Sequence, residues 1–436
     1  VLSFSFIESP KVFFPVNSVS MSKVSFQVFA LCLVSVVSAY GADIKITGAA
    51  APNNKQTISL TGLQQDNSAQ AREFITVLKG DLLRSGWFVP VDSPSASVVI
   101  EGSVRGNSSG VSADALCKWL RGMRQQSWSK SATSDQIRDA AHSLCDMIVT
   151  RVTEKPSMAS SKVIFVGRRG GSNSEIYVCD ADGGRLRQIT NDRKLCMSPT
   201  WIPGKNAFLY TSWLSGVAAI CKVNMSTKVR EVIASYPGMN NGAAASPDGT
   251  LMALLLSRSG GVDLYVQNLT TRKLTRLTAS RTVNESSPSW SPDGENLVYV
   301  SDEGHAPRIY TMNAGVRQPR RMVYSSEIRE AVSPEWGPSG QITFCGRSGG
   351  RYGIYVIDPA TDPRSSIPQL VSPADGSDYE DPSWAPDGRH IVCTKSTNFK
   401  RSLVVLDTLG DPPQPLVTIS GDWYLSNWSR DNKPLH

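Results

Sequence analysis

The chain reads as an α/β N-terminal domain followed by an all-β six-bladed propeller. Three observations predict this. A tryptophan recurs through the last two thirds of the chain, at Trp201, Trp290, Trp336, Trp384 and Trp428, with Ala245 in the place it skips; the steps are 44, 45, 46, 48 and 44 residues. Each copy runs on into a turn such as "SPDG" and then a short apolar run such as "NLVYVS" (296–301). A period of about 40–50 residues with these parts marks propeller blades. The residues before about 152 do not share the repeat and mix helical with strand-like patterns.

The start has the three-part shape of a signal peptide. A short basic beginning at Met21 and Lys23 leads into an apolar run over 24–37, then small residues in "SAYGAD". The run is too short to span a bilayer. Cleavage after Ala39 or after Gly41 fits, so 1–41 is read as a signal peptide with an upstream extension, residues 1–20. The mature protein is expected outside the cytoplasm. The formal net charge is +7 with Lys and Arg scattered, which argues against a nucleic-acid partner. Seven cysteines follow Cys32, none in a CxxC pair, so zinc is not expected. Cys179, Cys345 and Cys393 sit in strand-like runs and read as small buried apolar residues. Cys117 and Cys145 are a candidate disulfide.

Residues 42–152 form the α/β domain. Residues 44–47 read as a short strand. Over 68–84, Phe74, Ile75, Leu78 and Leu82 recur at three and four, the helical spacing, and Gly86 ends the helix. "WFVPV" (87–91) and "SVVIEGSV" (97–104) read as strands. A second helix starts near Ser134 with Ile137, Ala141, Leu144, Ile148 and Val152 on one stripe. "TEKPSMASS" (153–161) reads as a linker. From Lys162 the propeller runs to residue 436. In each "SPDG", Pro presets φ, Asp bonds the backbone ahead and Gly takes positive φ. Blade one supplies three strands and lacks the Trp strand; the strand around Trp428 is expected to complete that sheet, closing the ring and removing open edges. The Trp rings are expected to pack between blades.

The repeat and the front domain together resemble the TolB family. The carrying segments are "LKGDLLRSGWFVPVD" (78–92), "IRDAAHSLCDMIVTRVTEKPSMASSKVIFV" (137–166) and "PGMNNGAAASPDG" (237–249). The chain departs from the family in "VTEKPS" where an "LTG" stretch is usual, and in Met239 where a docking-loop His is common. The resemblance implies a non-enzymatic periplasmic adaptor of the Tol–Pal system. It would bind the peptidoglycan-associated lipoprotein Pal at one propeller mouth and TolA through its mature N-terminus, supporting outer-membrane integrity and constriction at division. The implied Pal-like site is Met239, Asn240, Asn284, Glu285, Arg329, Glu330, Tyr379 and Glu380. The implied TolA-like site is Ala42, Asp43, Ile44, Lys45 and Ile46, whose alternating Ile44 and Ile46 suit strand addition to a partner's sheet. No cofactor is expected, and the protein should be a monomer, peripheral to the outer membrane through its partners.

Other motifs weigh less. "GRSGG" (346–350) fits the nucleophile-elbow pattern at Ser348, but an elbow needs a strand followed by a helix, and here two strand-like runs flank it. "DADGG" (180–184) begins like a calcium loop and lacks its acidic twelfth ligand. His142 reads as structural and His305 as a turn residue. Glu285, Glu330, Glu380, Asp381 and Asp422 precede the Trp strands and should converge on one mouth, where they could hold a cation or a partner's basic side chains. A secreted propeller enzyme, a serine peptidase or a sugar-cleaving type, is the alternative.

Overall fold

The computed structural model describes residues 55–119, 123–171, 173–258, 260–315, 321–324 and 328–431, all within one unit, Ala49–His436. The segment 44–47 and residues Ala42, Asp43, Ile44, Lys45 and Ile46 lie outside the described residues, as does the signal-peptide segment.

The front domain is a five-stranded sheet with two helices. Its elements are β1 (Gln56–Gln65), α1 (Ala69–Arg84), β2 (Phe88–Pro90), β3 (Val98–Asn107), β4 (Gly110–Trp119), β5 (Arg124–Thr133) and α2 (Ile137–Thr153). The sheet order is β2-β1-β3-β4-β5; β1 is parallel to β2 and β3, and the rest is an antiparallel meander. α1 starts where Ser68 Oγ accepts the Ala71 N–H (3.1 Å) and stops at Gly86, whose φ of 69° no side-chain-bearing residue adopts cheaply. Phe74, Ile75, Leu78 and Leu82 of α1 and Ile137, Leu144 and Ile148 of α2 bury their stripes in one core with Val98, Ile100 and Val104 of β3. Cys117 and Cys145 both enter that core as free thiols, which corrects the candidate disulfide. The other five cysteines among the described residues are also buried and free.

Six four-stranded antiparallel sheets follow. Five are built in chain order, each from one stretch of sequence. The first is not: Lys162–Arg168, Glu175–Asp180 and Arg187–Gln188 take their innermost strand from Asp422–Trp428 at the other end of the chain. This is the closure that the missing Trp strand predicts. The apolar clusters lie between blades. Trp201 packs in the cluster shared by blades one and two, Trp290 in that of three and four, Trp384 in that of five and six, and Trp428 where six meets one. Trp428 also donates its ring N–H to Ser161 Oγ at 2.7 Å, tying the closing strand to the entry of blade one. Residues Met158, Ala159, Ser160 and Ser161 are buried, and the Ala159 and Ser160 N–H groups bond Asp146 of α2. The segment between α2 and the first blade is therefore packed rather than loose.

Charge holds the front domain to the propeller. Asp180, in the first blade, accepts from Lys162 (2.6 Å), Arg185 (2.8 Å) and Arg138 of α2 (3.2 Å). His142 of α2 sits between Asp81 of α1 (2.6 Å) and Asp180 (3.4 Å), with no exposed surface. Asp182 takes a 2.5 Å bond from Arg138. "DADGG" is thus a turn whose acids serve this junction. Gly183 within it has φ 83°, and a Cβ there would meet Leu416 O at 1.9 Å. On blade six, Arg389 pairs with Asp407 and stacks on Trp87 at 4.4 Å.

Candidate functional site: the propeller mouth and channel

The six innermost strands are Asp422–Trp428, Cys196–Trp201, Asn240–Ala245, Glu285–Trp290, Glu330–Trp336 and Asp378–Trp384. Each breaks register with its neighbour at the same point. One residue there takes left-handed φ: Leu425, Ser198, Gly242, Ser287, Ser333 and Asp381, at 49–62°. A bulge of this kind bends and twists a strand. Six of them in a ring let six crowded strands curve around one axis. Five of the six are not glycine, each at a cost of roughly 1–2 kcal/mol, which inter-blade burial offsets. The bulges surround a cavity of about 460 Å³ that continues toward the Trp ends of the strands and is walled by serines and prolines.

Asp381 is the one acid among the six bulge residues. Its carboxylate accepts from Ser333 (3.2 Å) and Thr394 (3.5 Å), and burial together with the Glu380 charge pushes its pKa up to about 6. Glu335, deeper in the wall, is also held up by burial, and Arg430 bonds it at 3.1 Å. The five acids expected to converge all lie at or near the starts of inner strands, but the fold does not leave them as one free set. Glu285 is buried. Glu330 is bound by Arg347 (3.2 Å) and Tyr352 (3.1 Å), Glu380 by Ser396 (3.4 Å) and Asp422 by Arg401 (2.8 Å). Only Asp381 of the five lines the cavity. Among the described residues, the groups placed to share a metal ion are Asp81, His142 and Asp182, and Glu175, Asp192 and Cys196; neither contains one of those five acids.

The mouth opposite the Trp ends carries the eight residues expected there, because all lie at or just before the starts of inner strands. They differ in availability. Asn284 and Arg329 are exposed, and Met239, Glu330 and Glu380 are half-buried. Asn240 is buried and closes a turn by accepting from Tyr236 N (2.8 Å) and donating to Tyr236 O (2.7 Å). Asn284 holds Asp302 at 3.0 Å. Tyr379 is buried and donates to Asp375 at 2.9 Å. The basic partners Arg347, Arg351, Lys395 and Arg401, which bind Glu330, Asp378, Asp375 and Asp422, complete this rim and escaped sequence reasoning. They come from the hairpins of second and third strands, and the repeat register could have placed them beside the inner-strand acids. Ser348 lies in such a hairpin, with Gly349 and Gly350 as its two loop residues and Ser348 paired to Arg351. No helix follows it, so the elbow geometry is not formed there.

The chain matches the family model of the TolB beta propeller domain over residues 149–432. It is 26% identical over 315 residues to the Tol-Pal system protein TolB of Francisella tularensis, covering 70% of this chain and 68% of that protein. It is 30% identical over 191 residues to the Protein TolB homolog of Chlorobium luteolum, covering 44% of this chain and 43% of that one, so that match spans less than half of the relative. TolB from Acinetobacter baumannii shares the fold, with a TM-score of 0.76 at 22% identity over 87% of this chain and 98% of that one. With the propeller model matched over well more than half of its length, the chain belongs to the TolB family.

Proposed function

We propose that this protein is a non-enzymatic periplasmic adaptor of the Tol–Pal system. Its propeller rim would bind the lipoprotein Pal and its mature N-terminus TolA, coupling the two in support of outer-membrane integrity and constriction. The reading rests most on family membership together with the printed name of the Francisella relative. The rim supports it: polar and charged groups of several blades, among them Asn284, Arg329, Glu330 and Glu380, are presented around one mouth by a rigid ring. Such a surface suits recognition and orientation of a protein partner. Ser348 as the last strand residue before a two-residue hairpin loop supports it over the hydrolase alternative. We place a front domain at 42–152, a linker at 153–161 and a propeller at 162–436.

Two variants separate the two partners. Deleting residues 42–47 should abolish TolA binding and spare the lipoprotein. Reversing Glu330 and Glu380 to Lys should do the opposite; Glu285 is left intact because it is buried and its reversal would disturb the fold. Calorimetry with both partners decides between outcomes. A truncated protein that binds TolA as well as the parent does would sink the N-terminal assignment, and a rim variant with parental lipoprotein affinity would sink the mouth assignment.

A further inference from the structure

The hairpin of blade six, His390–Thr397 and Lys400–Asp407, closes with an unusual loop. Thr397 pairs with Lys400, so the loop is two residues, Asn398 and Phe399, with φ of 50° and 63°. Blade five closes its hairpin in the same register, with Gly349 and Gly350 at 60° and 82°. A two-residue loop with positive φ twice calls for Asn or Gly first and Gly second, because a Cβ is strained there. Phe399 carries that strain, and its ring is fully exposed at 106%, the highest value among the large exposed apolar side chains described. A lone exposed apolar residue is ordinary. An aromatic held in left-handed backbone with no contact of its own to gain is not, and such outliers cluster at functional positions.

The loop stands on the rim. Lys395 binds Asp375 (2.7 Å) and lies over the Tyr379 ring at 5.5 Å. Ser396 bonds Glu380, and Arg401 binds Asp422 (2.8 Å) while stacking on Tyr424 at 3.5 Å. The base is thus braced by Tyr379 and Glu380, and the tip offers a phenyl ring beside the exposed Lys400. Arg329, Arg347 and Arg351 are exposed on the same side of the ring of blades. Arg347 and Arg351 are held by Glu330 and Asp378; a phenyl knob beside the exposed Lys400 fits an apolar pocket with a carboxylate at its border.

We propose that Phe399 is the apolar anchor with which the rim grips its protein partner, entering a pocket on that partner with an acidic side chain at its border. This rests on the reading above that the mouth docks the Pal-type lipoprotein. The test is calorimetry of the full mature chain, Phe399→Gly and Lys400→Glu with the lipoprotein lacking its lipid, and co-sedimentation of each with vesicles rich in phosphatidylglycerol. Phe399→Gly should melt within about 3 °C of the parent, since relief of left-handed strain offsets a freer unfolded chain. It should bind the lipoprotein at least about tenfold more weakly, as loss of a buried aromatic anchor does. Lys400→Glu should weaken binding and reduce its salt dependence. Binding by Phe399→Gly within twofold of the parent overturns the anchor and leaves the mouth reading standing. A parent that does not bind the lipoprotein overturns both. Vesicle binding by the parent that Phe399→Gly loses, with lipoprotein affinity unchanged, assigns the loop to the membrane and overturns the proposal.

Discussion

His142 is the most informative residue to perturb. Its ring is buried, and both ring nitrogens face carboxylate oxygens, Asp81 at 2.6 Å and Asp180 at 3.4 Å. A neutral imidazole has one N–H and cannot donate to both; the geometry calls for the imidazolium. Burial opposes that charge, but the hydrogen bonds to Asp180 and Asp81 outweigh it and push the His142 pKa from 6.5 up to about 9. A folded-state pKa raised in this way stabilises the fold fully below about 6.5, and the contribution fades as the pH rises through about 9. A rise of that size is worth about 3 kcal/mol. Asp180 is shifted the other way: burial raises it, but His142, Lys162 and Arg185 hold it well below the usual carboxylate range, so its contribution is lost only in strong acid. His142→Asn should therefore be destabilised at pH 6 by the lost imidazolium plus a pH-independent packing loss. The gap to the parent should narrow by about 3 kcal/mol by pH 10. Urea unfolding followed by tryptophan fluorescence at pH 6, 7.5, 9 and 10 measures it. A gap of constant size across that range would refute the charged bridge and leave His142 as a packing residue.

Other perturbations probe the ring and its turns. Deleting residues 421–436 removes the strand paired with Lys162–Arg168 and exposes two sheet edges; aggregation or loss of cooperative unfolding is expected, and an unchanged melting temperature in a monomer would refute closure. Trp428→Ala, at a fully buried site, should cost about 3–5 kcal/mol in urea unfolding. Gly183→Ala forces a Cβ onto Leu416 O at positive φ and should cost more than about 2 kcal/mol, read as a lower melting temperature. Ser348→Ala should stay within about 0.5 kcal/mol of the parent; hydrolase activity in the parent that this change abolishes would overturn the adaptor reading.

The repeating parts of the molecule were legible in the sequence because each blade solves the same local problem. A large ring between blades, a turn carrying Pro and Gly and a short apolar strand recur at steps of 44 to 48 residues, and local chemistry is enough to place them. The missing Trp strand of blade one made ring closure legible too, since an open edge has to be covered. Helices α1 and α2 were read from their apolar stripes. β1, β4 and β5 were not read as strands. β4 alternates through Val111, Ala113, Ala115, Cys117 and Trp119, but alanines are a weak signal, and β5 is almost wholly polar because much of it faces solvent.

What tertiary structure alone decided is which charges meet. Acids read from sequence as one converging set were divided by the fold: Glu285 is buried, Glu330 and Asp422 are paired with arginines, and Asp381 is turned into the channel by a backbone bulge. The junction acids Asp81, Asp180 and Asp182 come from positions up to about a hundred residues apart and find His142, Arg138 and Lys162 only once α1, α2 and the first blade are assembled. Strand and turn formation is governed by neighbours in the chain, whereas the ionisation and pairing of a side chain depend on distances of a few ångströms and on the water excluded around it. Those quantities exist only in the packed molecule.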